Sequence, residues 1–160
     1  MSNSHKYDIQ VDWGDCDPAG IVFYPNFYRW MDRGFWLLFG SRGLTLDVLR
    51  ERYKALGGPL VDTGATFLQP VQPGEILTVS SLIQHWGTKS FRIEYKFARQ
   101  TLPIATGFEV RVWGALGKDG QINGAVLQRE NGLVNNFTPG AFGLSVHKDH
   151  ARLLHGTTQA

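Results

Sequence analysis

Trp13-Gly14-Asp15-Cys16-Asp17-Pro18-Ala19-Gly20-Ile21-Val22-Phe23-Tyr24-Pro25-Asn26 reads as a tight acidic turn that runs directly into a helix. Gly14 to Gly20 is dense in Gly, Asp and Pro, the composition of a loop. Pro25 suits the first turn of a helix, where its missing N–H costs nothing, and Asn26 stands beside it. Beyond it Phe27, Trp30, Met31, Phe35 and Leu38 recur at helical spacing. Phe23, Tyr24, Tyr28, Trp36, Leu37 and Phe39 fill much of the remaining circumference, and a helix apolar on nearly every side is expected to be buried. Gly40 and Gly43 are expected to end it.

Upstream, Tyr7, Ile9, Val11 and Trp13 alternate with Asp8, Gln10 and Asp12, the period-2 pattern of a strand with one buried face. Downstream, a shorter amphipathic helix is expected over Leu46 to Leu56, closed by Gly57, Gly58 and Pro59. The following segments read as strands: Leu60 to Leu68, Glu75 to Trp86, Ser90 to Arg99, Ile104 to Leu116 and a last one near Gln121 to Arg129. Gly87, Thr88 and Lys89 make a hairpin tip. One domain over residues 1–135 follows, with 136–160 as a polar, Gly-rich tail expected to be partly docked or disordered. Helices on one face of an antiparallel sheet make the class α+β. The simplest burial for so apolar a helix is one sheet curled around it, and two such sheets joined at an edge would hide an exposed strand.

Composition narrows the functions. A chain of 160 residues can bury about 70% of its surface in one core. It is 42% apolar, 12% aromatic and only 19% charged, which rules out disorder as the main state and favours a homo-oligomer. A net charge of +2 with no basic run gives no support for nucleic-acid binding. The single cysteine, Cys16, excludes an internal disulfide framework and a Cys-rich zinc cage. No apolar stretch has the length of a membrane span and Met1 to Lys6 is not a signal peptide, so the expectation is a cytoplasmic protein without a membrane partner. The five histidines are scattered, and no metal site is expected. No phosphate-binding Gly-rich loop opens a helix, so nucleotide hydrolysis and dinucleotide redox chemistry lack support.

The acidic turn carries the chemistry. A helix N-terminus presents N–H groups without intrahelical partners and a partial positive charge, so it can hold a developing oxyanion. A carboxylate beside it can act as nucleophile or general base. Asp and Asn ahead of a helix also serve as caps, and the residue types alone leave both roles open. Asp15 is read as the member that ties down the turn, leaving Asp17 to face a ligand.

Asp15-Cys16-Asp17-Pro18-Ala19-Gly20-Ile21-Val22, with Tyr24-Pro25-Asn26 and Arg29-Trp30-Met31-Asp32, resembles the signature of the 4-hydroxybenzoyl-CoA thioesterases of the hotdog fold. Weaker echoes run through Gly58-Pro59-Leu60-Val61, Phe67, and Trp86 with Lys89-Ser90-Phe91, so the resemblance covers about three quarters of the chain. It implies an antiparallel sheet wrapped around a long central helix, dimers that form one continuous sheet, and dimers of dimers. It implies an acyl-CoA substrate, an aryl-CoA such as 4-hydroxybenzoyl-CoA, with no cofactor. Asp17 would be the nucleophile or general base, and the Tyr24 N–H would polarise the carbonyl. Asp32 of the neighbouring subunit would meet the aryl hydroxyl, unless it is simply a mid-helix charge paired with Arg29 or Arg33. Gly20 would belong to the substrate-binding turn. Lys89 and Ser90 would bind the nucleotide, although Gly87 and Thr88 stand where the family carries two arginines. The alternatives are an aliphatic acyl-CoA or acyl-carrier-protein thioesterase, and a non-catalytic acyl-CoA-binding protein. A hydratase of the same fold is disfavoured, because no His lies between Lys6 and Gln84.

Overall fold

The computed structural model describes residues 4–116 and 122–124. Five strands form one antiparallel sheet in the order β1-β4-β5-β6-β3. They are β1 (His5–Gln10), β3 (Leu60–Phe67), β4 (Ile76–Trp86), β5 (Ser90–Arg99) and β6 (Leu102–Val112). The helix α1 (Pro25–Gly40) lies across its inner face. A small second sheet joins β2 (Ala55–Gly57), β7 (Gly114–Leu116) and β8 (Ile122–Gly124). The tail 136–160 lies outside the described residues, as does most of the expected last strand. No helix among the described residues is long and apolar enough to cross a membrane.

The period-2 pattern settles which face of each strand meets the helix. Phe91, Ile93, Tyr95 and Phe97 alternate along β5 and are all buried, while Arg92, Glu94 and Lys96 point outward. From α1, Phe27, Trp30, Met31, Phe35, Leu38 and Phe39 descend onto this surface. Each such burial contributes about 1.5–3 kcal/mol. Phe27 meets Phe97 at 5.2 Å between ring centroids, and Phe35 meets Phe91 at 6.0 Å, so α1 starts at the Phe97 end and runs toward the Phe91 end. Gly34 lets the helix lie close to the sheet, because a Cβ there would stand 2.9 Å from the Tyr95 ring.

Four expectations change. Ile9 and Val11 are buried as the alternation requires, but Trp13 is 82% exposed. The Asp12 N–H donates to Asp15 Oδ2 at 3.0 Å, which turns Trp13–Asp15 into a 3-10 turn and carries Trp13 off the strand. Second, α1 is not enclosed all round: one sheet covers one face, and Phe23, Tyr24 and Trp36 stay exposed beside the other. Third, α2 spans Leu46–Tyr53, because Lys54 adopts a left-handed φ of 53° and stops it. Ala55–Gly57 then pairs with β7 instead of extending the helix. Fourth, the long strand ending at Leu116 splits at Trp113, whose N–H donates to Lys89 O at 2.9 Å, and the chain leaves the main sheet.

Candidate active site

The acidic turn is a miniature hairpin held by its own backbone. The Phe23 N–H donates to Asp15 O at 2.8 Å, the Asp17 N–H to Ile21 O at 2.9 Å, and Cys16 bridges Val22. Gly20 closes the tip at a φ of 75°, a left-handed conformation that favours glycine. The Val22 N–H donates to Val71 O at 2.9 Å, which sews the turn to the loop that follows β3. Asp15 has the anchoring role expected of it. Asp17 is half-buried; its Oδ1 accepts the Ala19 N–H at 2.8 Å, and among the described residues no donor lies on Oδ2.

The start of α1 comes next. Asn26 and Phe27 donate their N–H groups to Phe23 O and Tyr24 O, and Pro25 has none to offer. That leaves the Tyr24 N–H, which has no acceptor among the described residues. Asp17 and Tyr24 are thus on the two sides of one rigid turn. Phe67 packs on Phe27 in the first turn of α1 at 5.1 Å, and Leu68, next in the chain, is exposed.

Asn26 is a residue the sequence reading did not assign a role. It is 6% exposed, and its Nδ2 donates to Asp15 O at 2.8 Å while its Oδ1 accepts from Arg29 at 2.8 Å. The signal for it was available, since a polar residue directly after Pro25 opens the face of the helix that turns inward.

Asp32 sits two turns further along α1. Its partner is neither Arg29 nor Arg33 but Arg111 of β6, whose Nη2 donates to Asp32 Oδ1 at 2.7 Å. Arg111 is buried and also forks onto Glu109, with Nε and Nη2 each at 2.9 Å. The Tyr95 hydroxyl donates to the same Glu109 at 2.7 Å. Burial first, then the charge and hydrogen bond of Glu109, raises the Tyr95 phenol well above its ordinary value, with Arg111 opposing. For Arg111, burial disfavours the cation, but the hydrogen bonds and charge of Glu109 and Asp32 outweigh it. These three residues were also unassigned. Their signal is a pair of opposite charges two residues apart on the core-facing side of a strand.

Lys89 and Ser90 lie at the β4–β5 tip, where the Gly87 N–H donates to Ser90 O at 2.7 Å. That tip is at the Phe91 end of β5, and Arg111 pairs with Phe91. Within one chain, therefore, Asp17, Gly20 and Tyr24 lie at the N-terminal end of α1, Asp32 at its middle and Lys89 and Ser90 at the far end of the sheet. Phe91 and Phe97 alone stand about 20 Å apart along the strand. A groove of about 440 Å³ lies on the outer face of the sheet among Gly64, Arg92, Lys96 and Phe108, and Asp17 is not part of it.

An antiparallel sheet laid over one long helix, with an acidic turn at that helix's N-terminus, defines the hotdog class. The profile of the thioesterase-like superfamily matches residues 11–126. The 4-hydroxybenzoyl-CoA thioesterase of Pseudomonas sp. (strain CBS-3) is 32% identical over 104 residues, covering 63% of this chain and 72% of that protein. Its solved structure superposes with a TM-score of 0.76 at 26% identity, over 84% of this chain and 99% of that one. A 1,4-dihydroxy-2-naphthoyl-CoA hydrolase of Prochlorococcus marinus (strain MIT 9515) is 27% identical over 114 residues, 66% of this chain and 75% of that protein. The structure of a gentisyl-coenzyme A thioesterase matches at 36% identity and a TM-score of 0.63, over 68% of this chain and 88% of that one. The chain belongs to the thioesterase-like superfamily, as a hotdog-fold acyl-CoA thioester hydrolase.

Proposed function

We propose that this enzyme hydrolyses an aryl-CoA thioester of the hydroxybenzoyl kind to the free acid and coenzyme A. The observation that carries the reading is the Asp17 carboxylate, clamped by one oxygen in a rigid turn that ends at a Tyr24 N–H without an acceptor among the described residues. A thioester carbonyl is already electrophilic, so a carboxylate and one amide donor suffice, and the reading calls for no cofactor. Asp17 attacks the carbonyl carbon, or takes a proton from the water that does so. The carbonyl oxygen gains negative charge and accepts the Tyr24 N–H, a donor worth about 3 kcal/mol when well aimed. The carbon–sulfur bond then breaks and the coenzyme A sulfur leaves as the thiolate, and takes up the proton that the consumed water gives up. If Asp17 is the nucleophile, the resulting anhydride is opened by water. Gly20 lets the turn approach the ligand closely.

The acceptor for the ring hydroxyl is Asp32, supplied by a second copy. Eight residues of helix separate Tyr24 from Asp32, about 12 Å along the axis, longer than a benzoyl group. Joining two β3 edges antiparallel about a two-fold axis would bring the Phe67 end of one sheet beside the Leu60 end of the other. The Asp17 turn of one copy would then meet Asp32, Lys89 and Ser90 of the next, with the last two at the coenzyme A nucleotide. The exposure of Leu60, Val61, Phe67 and Leu68 along and just beyond β3 supports that edge as the joint. Such dimers would pair again into tetramers, in the cytoplasm, where acyl-CoA esters are made and used.

The test is Asp17→Asn with a panel of thioesters. Hydrolysis is expected to fall about 10²–10⁴-fold with substrate still bound. Full activity in that variant removes the proposed chemistry, and butyryl- or hexanoyl-CoA turned over as well as hydroxybenzoyl-CoA by the native enzyme removes the aryl assignment.

A further inference from the structure

We propose that Arg111 is a positioning residue that sets the substrate preference of the site by fixing one oxygen of Asp32. The inference rests on the reading that Asp32 accepts a hydrogen bond from the hydroxyl of an aryl group. The Arg111 side chain is 6% exposed and that of Glu109 2%, whereas Asp32 is 56% exposed. Four hydrogen bonds and one aromatic ring hold the guanidinium. Two donors fork onto Glu109, Nη1 donates to Gly58 O at 2.8 Å, and the plane lies over the Phe35 ring at 4.2 Å. Glu109 is held in turn by the Tyr95 hydroxyl. Two of the five N–H donors remain, and the one on Nη2 takes Asp32 Oδ1.

The charge count gives this arrangement a consequence. Two carboxylates share one cation, so the cluster carries a surplus negative charge, and Asp32 is the one member of it open to a ligand. Among the described residues no donor lies on Asp32 Oδ2. Arg29 is engaged by Asn26, and Arg33 lies over the Tyr7 ring at 5.5 Å. The free oxygen is thus a preset acceptor for a neutral donor such as a phenol. A carboxylate already held in one orientation loses less side-chain freedom on binding than a freely rotating one. Arg111 touches no reacting atom; it acts through Asp32.

The experiment measures kcat/KM for 4-hydroxybenzoyl-CoA divided by that for benzoyl-CoA, each pair taken on one preparation, so that the fraction of active enzyme cancels. Arg111→Lys keeps a buried cation but loses the fork, and the ratio is expected to fall about tenfold. Asp32→Glu, at an exposed position that tolerates change, keeps the charge but shifts the acceptor by one methylene. It is expected to lower the ratio nearly as far as Asp32→Ala. Adding Arg111→Lys to Asp32→Ala should lower it no further. A merely structural Arg111 would depress both substrates alike and leave the ratio intact, which overturns the proposal. Retention of the native ratio by Asp32→Glu overturns it as well, because charge without position would then suffice. If native enzyme shows no preference for the hydroxylated ring, or Asp32→Ala leaves that preference in place, the aryl-hydroxyl reading itself fails.

Discussion

Asn26 does at the scale of one residue what a longer chain could do only with a second loop. Its amide joins the outgoing helix to the backbone oxygen of Asp15, two residues before the carboxylate proposed to react. Asp15 O already accepts the Phe23 N–H, so Asn26 closes a second bond on the same atom. Removing a buried hydrogen-bond partner costs about 1–3 kcal/mol. Asn26→Ala is therefore expected to lower the stability to denaturant by that amount. Because the turn then hinges, kcat should drop about tenfold with little change in KM, a misplacement effect and not a binding one. Steady-state kinetics well below the melting temperature checks it: an unchanged kcat would mean that Asn26 serves stability alone.

Two effects belong to the packing of α1 on β5. At Gly34 the new methyl of Gly34→Ala would press on a Tyr95 ring that cannot retreat, since its hydroxyl is bonded to Glu109. Overpacking of this kind costs about 1–3 kcal/mol, against a gain of about 1 kcal/mol in helix propensity. Net destabilisation of about 1 kcal/mol is expected by denaturant titration, and a stabilised variant would mean that the helix can lift off the sheet. The second effect is alkaline sensitivity. An unfolded tyrosine loses its proton near pH 10, while folded Tyr95 keeps it to higher pH. The folded state then binds more protons than the unfolded one above that value, so stability falls as pH rises. The contribution is fully present below pH 10 and is lost above it. Tyr7, whose phenol is also raised by burial, adds to the same slope. Chemical denaturation from about pH 8 to about pH 11 should show the decline, and Tyr95→Phe should flatten it.

At the scale of the whole molecule, the open edge of β3 is the feature a single chain leaves unsettled. An apolar strand edge with Val61 51% exposed and Phe67 45% exposed is a liability unless another strand pairs with it. A lysine on such an edge blocks pairing by burying a charge. Val61→Lys is therefore expected to give a monomer by sedimentation velocity with thioesterase activity reduced at least tenfold, since the Asp17 and Asp32 ends would no longer meet. A fully active monomer would instead mean that one chain holds a complete site.

Much of this was legible in the order of residues. Pro25 and the aromatic spacing after it marked where α1 begins, because helix starts and helical periodicity are local properties of the chain. That Asp17, Gly20 and Tyr24 lie close together followed for the same reason: eight residues of contiguous turn cannot spread far apart. Trp13, Lys54 and Trp113 were misread because single hydrogen bonds and one left-handed residue redirected the backbone against its hydrophobic pattern. The Arg111 fork, and its claim on Asp32 across 79 positions, had no local sign that named its partner. Such a pairing exists only once β6 and α1 are packed together, when burial leaves the guanidinium no water and obliges it to find carboxylates.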